Sequence, residues 1–246
     1  MENIMRRKLT FTKASKHIIL ILISLCILSI ISLTVYSSSS YQSLTEMEDE
    51  INNLMFTEYN TTETNSYIKY EVENPVKHIL FVPGGLVEPS SYKYLATKIC
   101  SAGYNVTIYK PLYNLAILTS FLIDDYLDNK MDNVIIGHSL GGVVGSMVAS
   151  KESSISELVL LGSYPIKEIN YQDVLIITAE NDLLTDNEKI NESLYLIKTS
   201  YQIENIVGGN HAQFGWYGPQ KKDGVASIST INQQDQVVTL ILEFIQ

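Results

Sequence analysis

Basic residues are scarce in this chain of 246: 17 Lys and Arg stand against 27 Asp and Glu, for a formal charge of −10. Five of the basic residues (Arg6, Arg7, Lys8, Lys13 and Lys16) crowd into an N-terminal tail whose only acid is Glu2, so the tail carries +4 and the rest −14. Nucleic-acid binding neutralises phosphates with Lys and Arg, and an acidic body with no basic block excludes that partner class. Cysteine is nearly absent as well. Cys26 lies in an apolar run and Cys100 at the end of an expected helix, so no disulfide is expected between them. Neither has a Cys or His at ligand spacing. No metal and no cofactor is expected.

Charge is missing altogether from Ile18 to Tyr36, "IILILISLCILSIISLTVY". About 19 residues make roughly 28 Å of helix, close to the thickness of a bilayer core. A soluble helix would show a polar stripe, which this run lacks. With the basic tail before it, the positive-inside rule predicts a single-pass membrane protein whose C-terminal domain is extracytoplasmic. The alternative is a body secreted after signal cleavage; the run is longer than a usual signal core, and only Ser37 to Ser40 offer small residues near its end. The expected organisation is a basic tail (1–17), an anchor (18–36), a polar stalk (37–66) with a short helix around Leu44–Met55, and one folded body (67–246).

The body alternates two periodicities. Strands are predicted at Tyr67–Glu73, His78–Gly85, Tyr104–Lys110, Asn133–Gly137, Glu157–Gly162, Val174–Ala179 and Tyr201–Val207. Helices are predicted at Ser91–Gly103, Leu115–Asp128, Leu140–Ser150, within Asp186–Leu194, and at Gln233–Phe244. This alternation implies an α/β fold with a mostly parallel sheet and right-handed crossovers. The unbroken apolar strands imply helices on both faces.

Gly137-His138-Ser139-Leu140-Gly141 is a G-x-S-x-G motif set between a predicted strand and a predicted helix, the context of a nucleophile elbow. Such a turn holds the serine in a strained conformation at the carboxyl edge of the sheet, where open α/β folds bind ligands. A serine hydroxyl is a weak nucleophile and needs a base, itself oriented by an acid. Of the four histidines, His17 abuts the apolar run, His78 opens a strand, and His138 is too close in sequence to turn back onto Ser139. His211, in a glycine-rich loop after the last strand, is the candidate base. The loop after "VLIITA" offers Glu180, Asp182 and Asp186 as acids; Asp182 is preferred, and Asp186 could merely cap a helix. An oxyanion would be held by the N–H of Leu140 together with that of Gly85 or Leu86 from "FVPGGLVEP". Phe214, Trp216 and Tyr217 either line the substrate site or pack the histidine loop.

Three segments, "VPGGLVEPSSY", "GHSLGG" and "GGNHAQFGWYGPQKKDGVASIS", resemble the α/β-hydrolase superfamily, and most of all its compact, bacterial, dienelactone-hydrolase-like branch. The likeness runs over nearly all of the body. It implies a Ser139–Asp182–His211 triad and cleavage of small-molecule or lipid esters through an acyl-enzyme. Amidase or thioesterase activity, or a non-catalytic binding role on the same scaffold, are the other outcomes. Only "SYPIKEINYQ" stands between Ser163 and Gln172, so a minimal cap and an open site are expected.

Overall fold

A computed structural model describes residues 13–54 and 58–246. The chain divides into a unit ending at Ser39 and a body from Ser40 to Gln246. Most of the basic tail lies outside the described residues.

Among its described residues the first unit holds one helix, α1 (Lys13–Ser37). An 18-residue window within Ser15–Ser37 has a mean hydropathy of 3.0 and no buried residue, so the stretch is long and apolar enough to cross a membrane. Its hydroxyls do not interrupt it. Ser24 donates to the Leu20 carbonyl (2.9 Å) and Thr34 to that of Ile30 (2.8 Å), which satisfies them within the helix.

Among the described residues the body is built on eight strands: β1 (Asn60–Glu63), β2 (Tyr67–Glu71), β3 (His78–Val82), β4 (Asn105–Tyr109), β5 (Asn133–His138), β6 (Ile155–Leu161), β7 (Asp173–Ala179) and β8 (Tyr201–Ile206). They form one sheet in the order β1-β2-β4-β3-β5-β6-β7-β8. The pairings of β1 with β2 and of β2 with β4 are antiparallel, and all the others parallel. Between them lie α3 (Lys93–Ser101), α4 (Leu140–Ala149) and α5 (Asn187–Ser193), and α6 (Thr230–Phe244) closes the chain; α2 (Glu46–Asn53) precedes the sheet.

The strand period of two explains the two cores. Ile79, Phe81, Val134, Ile136, Val159 and Leu161 pack with Leu95 and Ile99 of α3 and Val237 and Ile241 of α6. Their neighbours Leu80, Val82, Ile135, Leu158 and Leu160 pack on the other face with Val144 and Val148 of α4. Both faces are thus covered, which is why these strands carry no polar alternation. Eleven residues, 162–172, join β6 to β7, so the cap is minimal.

Two expectations are corrected. The stalk of 37–66 is not free-standing from Ser40 onward: Tyr41 bridges to Val87, Met47 of α2 is fully buried with Tyr94 and Trp216, and β1 joins the sheet edge. Its polar composition hid single apolar anchors, Met47 above all. The helix expected over Leu115–Asp128 is instead a run of 3-10 turns at Ala116–Tyr126, broken at Thr119 (φ −128°, ψ 22°). An α-helical ladder would need the Asn114 carbonyl for Leu118, but that carbonyl accepts the Leu86 N–H (2.8 Å) and Leu118 turns to the Leu115 carbonyl (3.0 Å).

Candidate active site

The elbow joins β5 to α4 at Ser139, whose backbone is at φ 52°, ψ −123°. A non-glycine residue there is strained, and the surroundings enforce it. The Ser139 N–H donates to the Leu161 carbonyl (2.9 Å), and its own carbonyl accepts from the Ser163 hydroxyl (2.7 Å). Flanking glycines permit the close packing. A Cβ on Gly137 would strike the Gly142 backbone, and one on Gly141 the carbonyls of Val82 and Pro83. Ser139 and Leu140 stay partly exposed at the carboxyl edge of the sheet.

Asp182 stands in the turn after β7, three residues beyond Ala179. Its Oδ1 accepts the N–H groups of Leu184 and Thr185 (2.8 Å each), and its Oδ2 lies 2.8 Å from His211 Nδ1. Both side chains are nearly inaccessible, 3% for His211 and 4% for Asp182. Burial alone would raise the Asp182 pKa. The hydrogen bond and charge of His211, with the Thr185 bonds, outweigh it and hold the carboxyl below its usual range. An ionised Asp182 fixes the proton on His211 Nδ1 and leaves Nε2 as the acceptor. Thr185 tightens the pair: its hydroxyl donates to the Gly162 carbonyl (2.9 Å) and sits 3.1 Å from His211 Nδ1. The other acids serve elsewhere. Glu180 accepts the Gly208 N–H (2.7 Å), and Asp186 caps α5 through the Glu188 N–H (3.0 Å).

His211 reaches the elbow on a braced loop. Gln233 of α6 is fully buried and bonds both backbone groups of Asn210 (2.9 and 2.8 Å). Asp223 accepts from Ala212 (2.8 Å) and from Leu183 (3.3 Å), and so ties the histidine loop to the acid loop. The His211 ring centroid lies 4.6 Å from that of His138, the residue preceding Ser139.

His138 does not face solvent. Its Nδ1 is 2.8 Å from the Tyr92 hydroxyl, which accepts the Gly84 N–H (2.9 Å). The phenol has one proton and gives it to Nδ1, so the His138 proton sits on Nε2, which has no hydrogen-bond partner among the described residues. Complete burial, then the neighbouring His211 charge, push the His138 pKa well below the usual histidine range. Burial raises the Tyr92 phenol, which keeps that donor protonated.

Of the expected oxyanion donors, the N–H groups of Leu140 and Gly85 have no acceptor among the described residues. The two residues are neighbours, since a Cβ on Gly85 would lie 2.9 Å from Leu140 Cδ2. Leu86 is corrected: its N–H is occupied by the Asn114 carbonyl. The three aromatics also pack rather than line an open site. Phe214 is fully buried, with its ring 5.7 Å from that of His138; Trp216 packs at a tilt against Tyr94 (5.1 Å) under α2; and Tyr217 turns its hydroxyl to Gln220 (2.8 Å). They support the histidine loop from beneath, where burying large rings contributes most. Tyr92, Thr185, Asp223 and Gln233 escaped the sequence reading. Only Gln233, a glutamine on the apolar face of α6, left a trace in the pattern.

The same fold occurs in distant solved structures. An esterase of Pyrobaculum calidifontis matches with a TM-score of 0.54 at 13% identity, over 80% of this chain and 88% of its own. Dienelactone hydrolase of Anabaena variabilis matches with a TM-score of 0.55 at 14% identity, over 75% and 98%. Mouse alpha/beta hydrolase domain-containing protein 10 matches with a TM-score of 0.55 at 12% identity, over 77% and 98%. No curated protein sequence matches significantly. The model of the alpha/beta hydrolase family matches residues 78–235, from the first fully buried strand into the closing helix, and the chain belongs to that family.

Proposed function

We propose that this protein is a serine hydrolase that cleaves carboxylic esters through an acyl-enzyme, held to a membrane by α1 with its body on the extracytoplasmic side. The observation that carries the reading is the buried 2.8 Å contact between His211 Nδ1 and Asp182 Oδ2, with the His211 ring 4.6 Å from that of His138, the residue before an elbow serine at φ 52°. Family membership and esterase relatives of the same fold support it.

His211 Nε2 takes the Ser139 proton as Oγ attacks the ester carbonyl. The imidazolium that forms is stabilised by Asp182. His138, held neutral, adds no second positive charge beside it. The N–H groups of Leu140 and Gly85 bind the oxyanion, where one donor is worth roughly 10²–10³-fold in kcat. His211 then protonates the leaving alcohol, and water repeats the sequence to release the acid. A minimal cap suits substrates presented from an open side.

A fluorophosphonate probe should label the full-length protein at Ser139 and lose that labelling in Ser139→Ala. The same variant should lose turnover of p-nitrophenyl butyrate by roughly 10³-fold or more and keep its melting temperature. Undiminished turnover in Ser139→Ala would sink the mechanism.

A further inference from the structure

We propose that the segment Pro111–Ile123 is a bilayer-docking face that seats the rim of the active site on a lipid surface; this rests on α1 being a retained anchor. The segment, "PLYNLAILTSFLI", is 13 residues without a charge. Pro111, Ala116, Thr119 and Ile123 are buried, but most of its large apolar side chains are not. Phe121 is 76% exposed and Leu112 59%, with Ile117, Leu118 and Leu122 also exposed. Five large apolar side chains on one short surface run form a patch that a soluble surface seldom leaves uncovered.

The same segment is wired to the catalytic loop and to the chain coming from α1. The Asn114 carbonyl accepts the Leu86 N–H (2.8 Å), while the Leu86 carbonyl accepts the Tyr41 N–H (2.8 Å). The Glu88 N–H returns to the Tyr41 carbonyl (2.9 Å). Leu86, next to the proposed oxyanion donor Gly85, is thus clamped between the apolar segment and the start of the body. Tyr41 follows Ser37, the last residue of the span, by four residues. By covalent length alone, at ~3.5 Å per residue, those four residues reach no more than about 14 Å. A bilayer holding α1 therefore lies within that reach of Tyr41.

Among possible occupants this favours the bilayer. The body carries −14, so anionic headgroups would repel it, and the contact has to be apolar, indifferent to salt and satisfied by zwitterionic lipid. Ester substrates dissolved in the membrane would reach the rim without crossing water.

The test uses the full-length chain in phosphatidylcholine vesicles, with Cys26→Ser and a fluorophore on Phe121→Cys; the remaining Cys100 is buried. The control label replaces Val76, which is 61% exposed and lies just before β3, at the amino edge of the sheet, opposite the edge that carries the elbow. Shallow nitroxide-labelled phosphatidylcholine should quench the label at 121 at least threefold more than the label at 76, equally at low and high salt. Equal quenching at both positions, in protein that resists alkaline extraction, would overturn the docking face while leaving the anchor intact. A label at 121 that is shielded but unquenched by nitroxide lipid would mean that a second protein copy covers the face, which also overturns it. Release of the protein by alkali would remove the anchor and this inference together. Phe121→Asp should lower turnover of a vesicle-embedded long-chain ester about tenfold and leave a water-soluble short-chain ester unchanged. A parallel loss on both substrates would refute the role.

Discussion

Replacing Tyr92 by Phe removes one oxygen from the middle of the chain Gly84 N–H, Tyr92 hydroxyl, His138 Nδ1, whose contacts are 2.9 and 2.8 Å. The ring stays, packed on Phe81 at 4.6 Å, so little apolar contact is lost. Two buried polar groups lose their partner, and each unsatisfied group costs about 1–3 kcal/mol. Partial relaxation brings the expected loss to about 3 kcal/mol. For a body of this size each kcal/mol lowers the melting temperature by ~2–4 °C, so thermal unfolding should fall by about 6–12 °C. Activity should fall as well, because the freed peptide is the one before Gly85. Displacing an oxyanion donor costs less than deleting it, and roughly a tenfold drop in kcat with a smaller change in KM is expected. Calorimetry and steady-state kinetics on a short-chain ester read the two arms. A melting shift under about 2 °C would refute the buried chain of hydrogen bonds. A full melting shift with unchanged kcat would refute its link to the oxyanion loop.

Gly162→Ala should be far more damaging to activity than Gly103→Ala, although both positions have positive φ (49° and 102°). A Cβ on Gly162 would stand 2.9 Å from His211 Nδ1 and 3.1 Å from Asp182 Oδ2, whereas one on Gly103 meets only Val76 at 3.9 Å. Kinetics should show a loss of about 100-fold for the first, and for the second only a backbone cost of about 1–2 kcal/mol; similar kcat values in the two would contradict the geometry. Asp182→Asn should lower kcat roughly 10³–10⁴-fold. Because the folded-state pKa of Asp182 is depressed, its stabilising contribution is present above about pH 4 and disappears as pH falls through the folded value, so the wild-type and Asp182→Asn melting curves should converge in acid. Burial lowers the pKa of both His78 and His138, so below about pH 6.5 the unfolded chain takes up protons that the folded chain refuses. Stability should therefore fall on acidification, by up to about 1.4 kcal/mol per pH unit for each histidine. Melting temperatures from pH 7.5 to 5 would check this, and His78→Gln should flatten the slope; a slope unchanged by that substitution would assign the proton uptake elsewhere.

The alternating body was legible because each buried strand carries its own signal: "VIIG" and "LVLLG" have no polar residue to spare, and a strand covered on both faces needs none. The elbow was legible for a similar reason, since backbone packing there tolerates only glycine at 137 and 141, and that constraint is written in residue identity. The apolar helix α1 follows from composition alone. Local sequence could not show that Ala116–Tyr126 gives up an α-helical ladder, because the competitor for the Asn114 carbonyl is Leu86, 28 residues earlier. Nor could it show that Met47 pins the supposed stalk to Tyr94 and Trp216. Sequence order singled out Ser139, Asp182 and His211 as candidates. The contact of His211 with Asp182, the occupation of Leu86 by Asn114, the burial of Phe214, Trp216 and Tyr217, and the neutral His138 behind the elbow are matters of which atoms meet across the fold. Hydrogen-bond competition and burial are settled between segments far apart in the chain, so only the tertiary structure decides them.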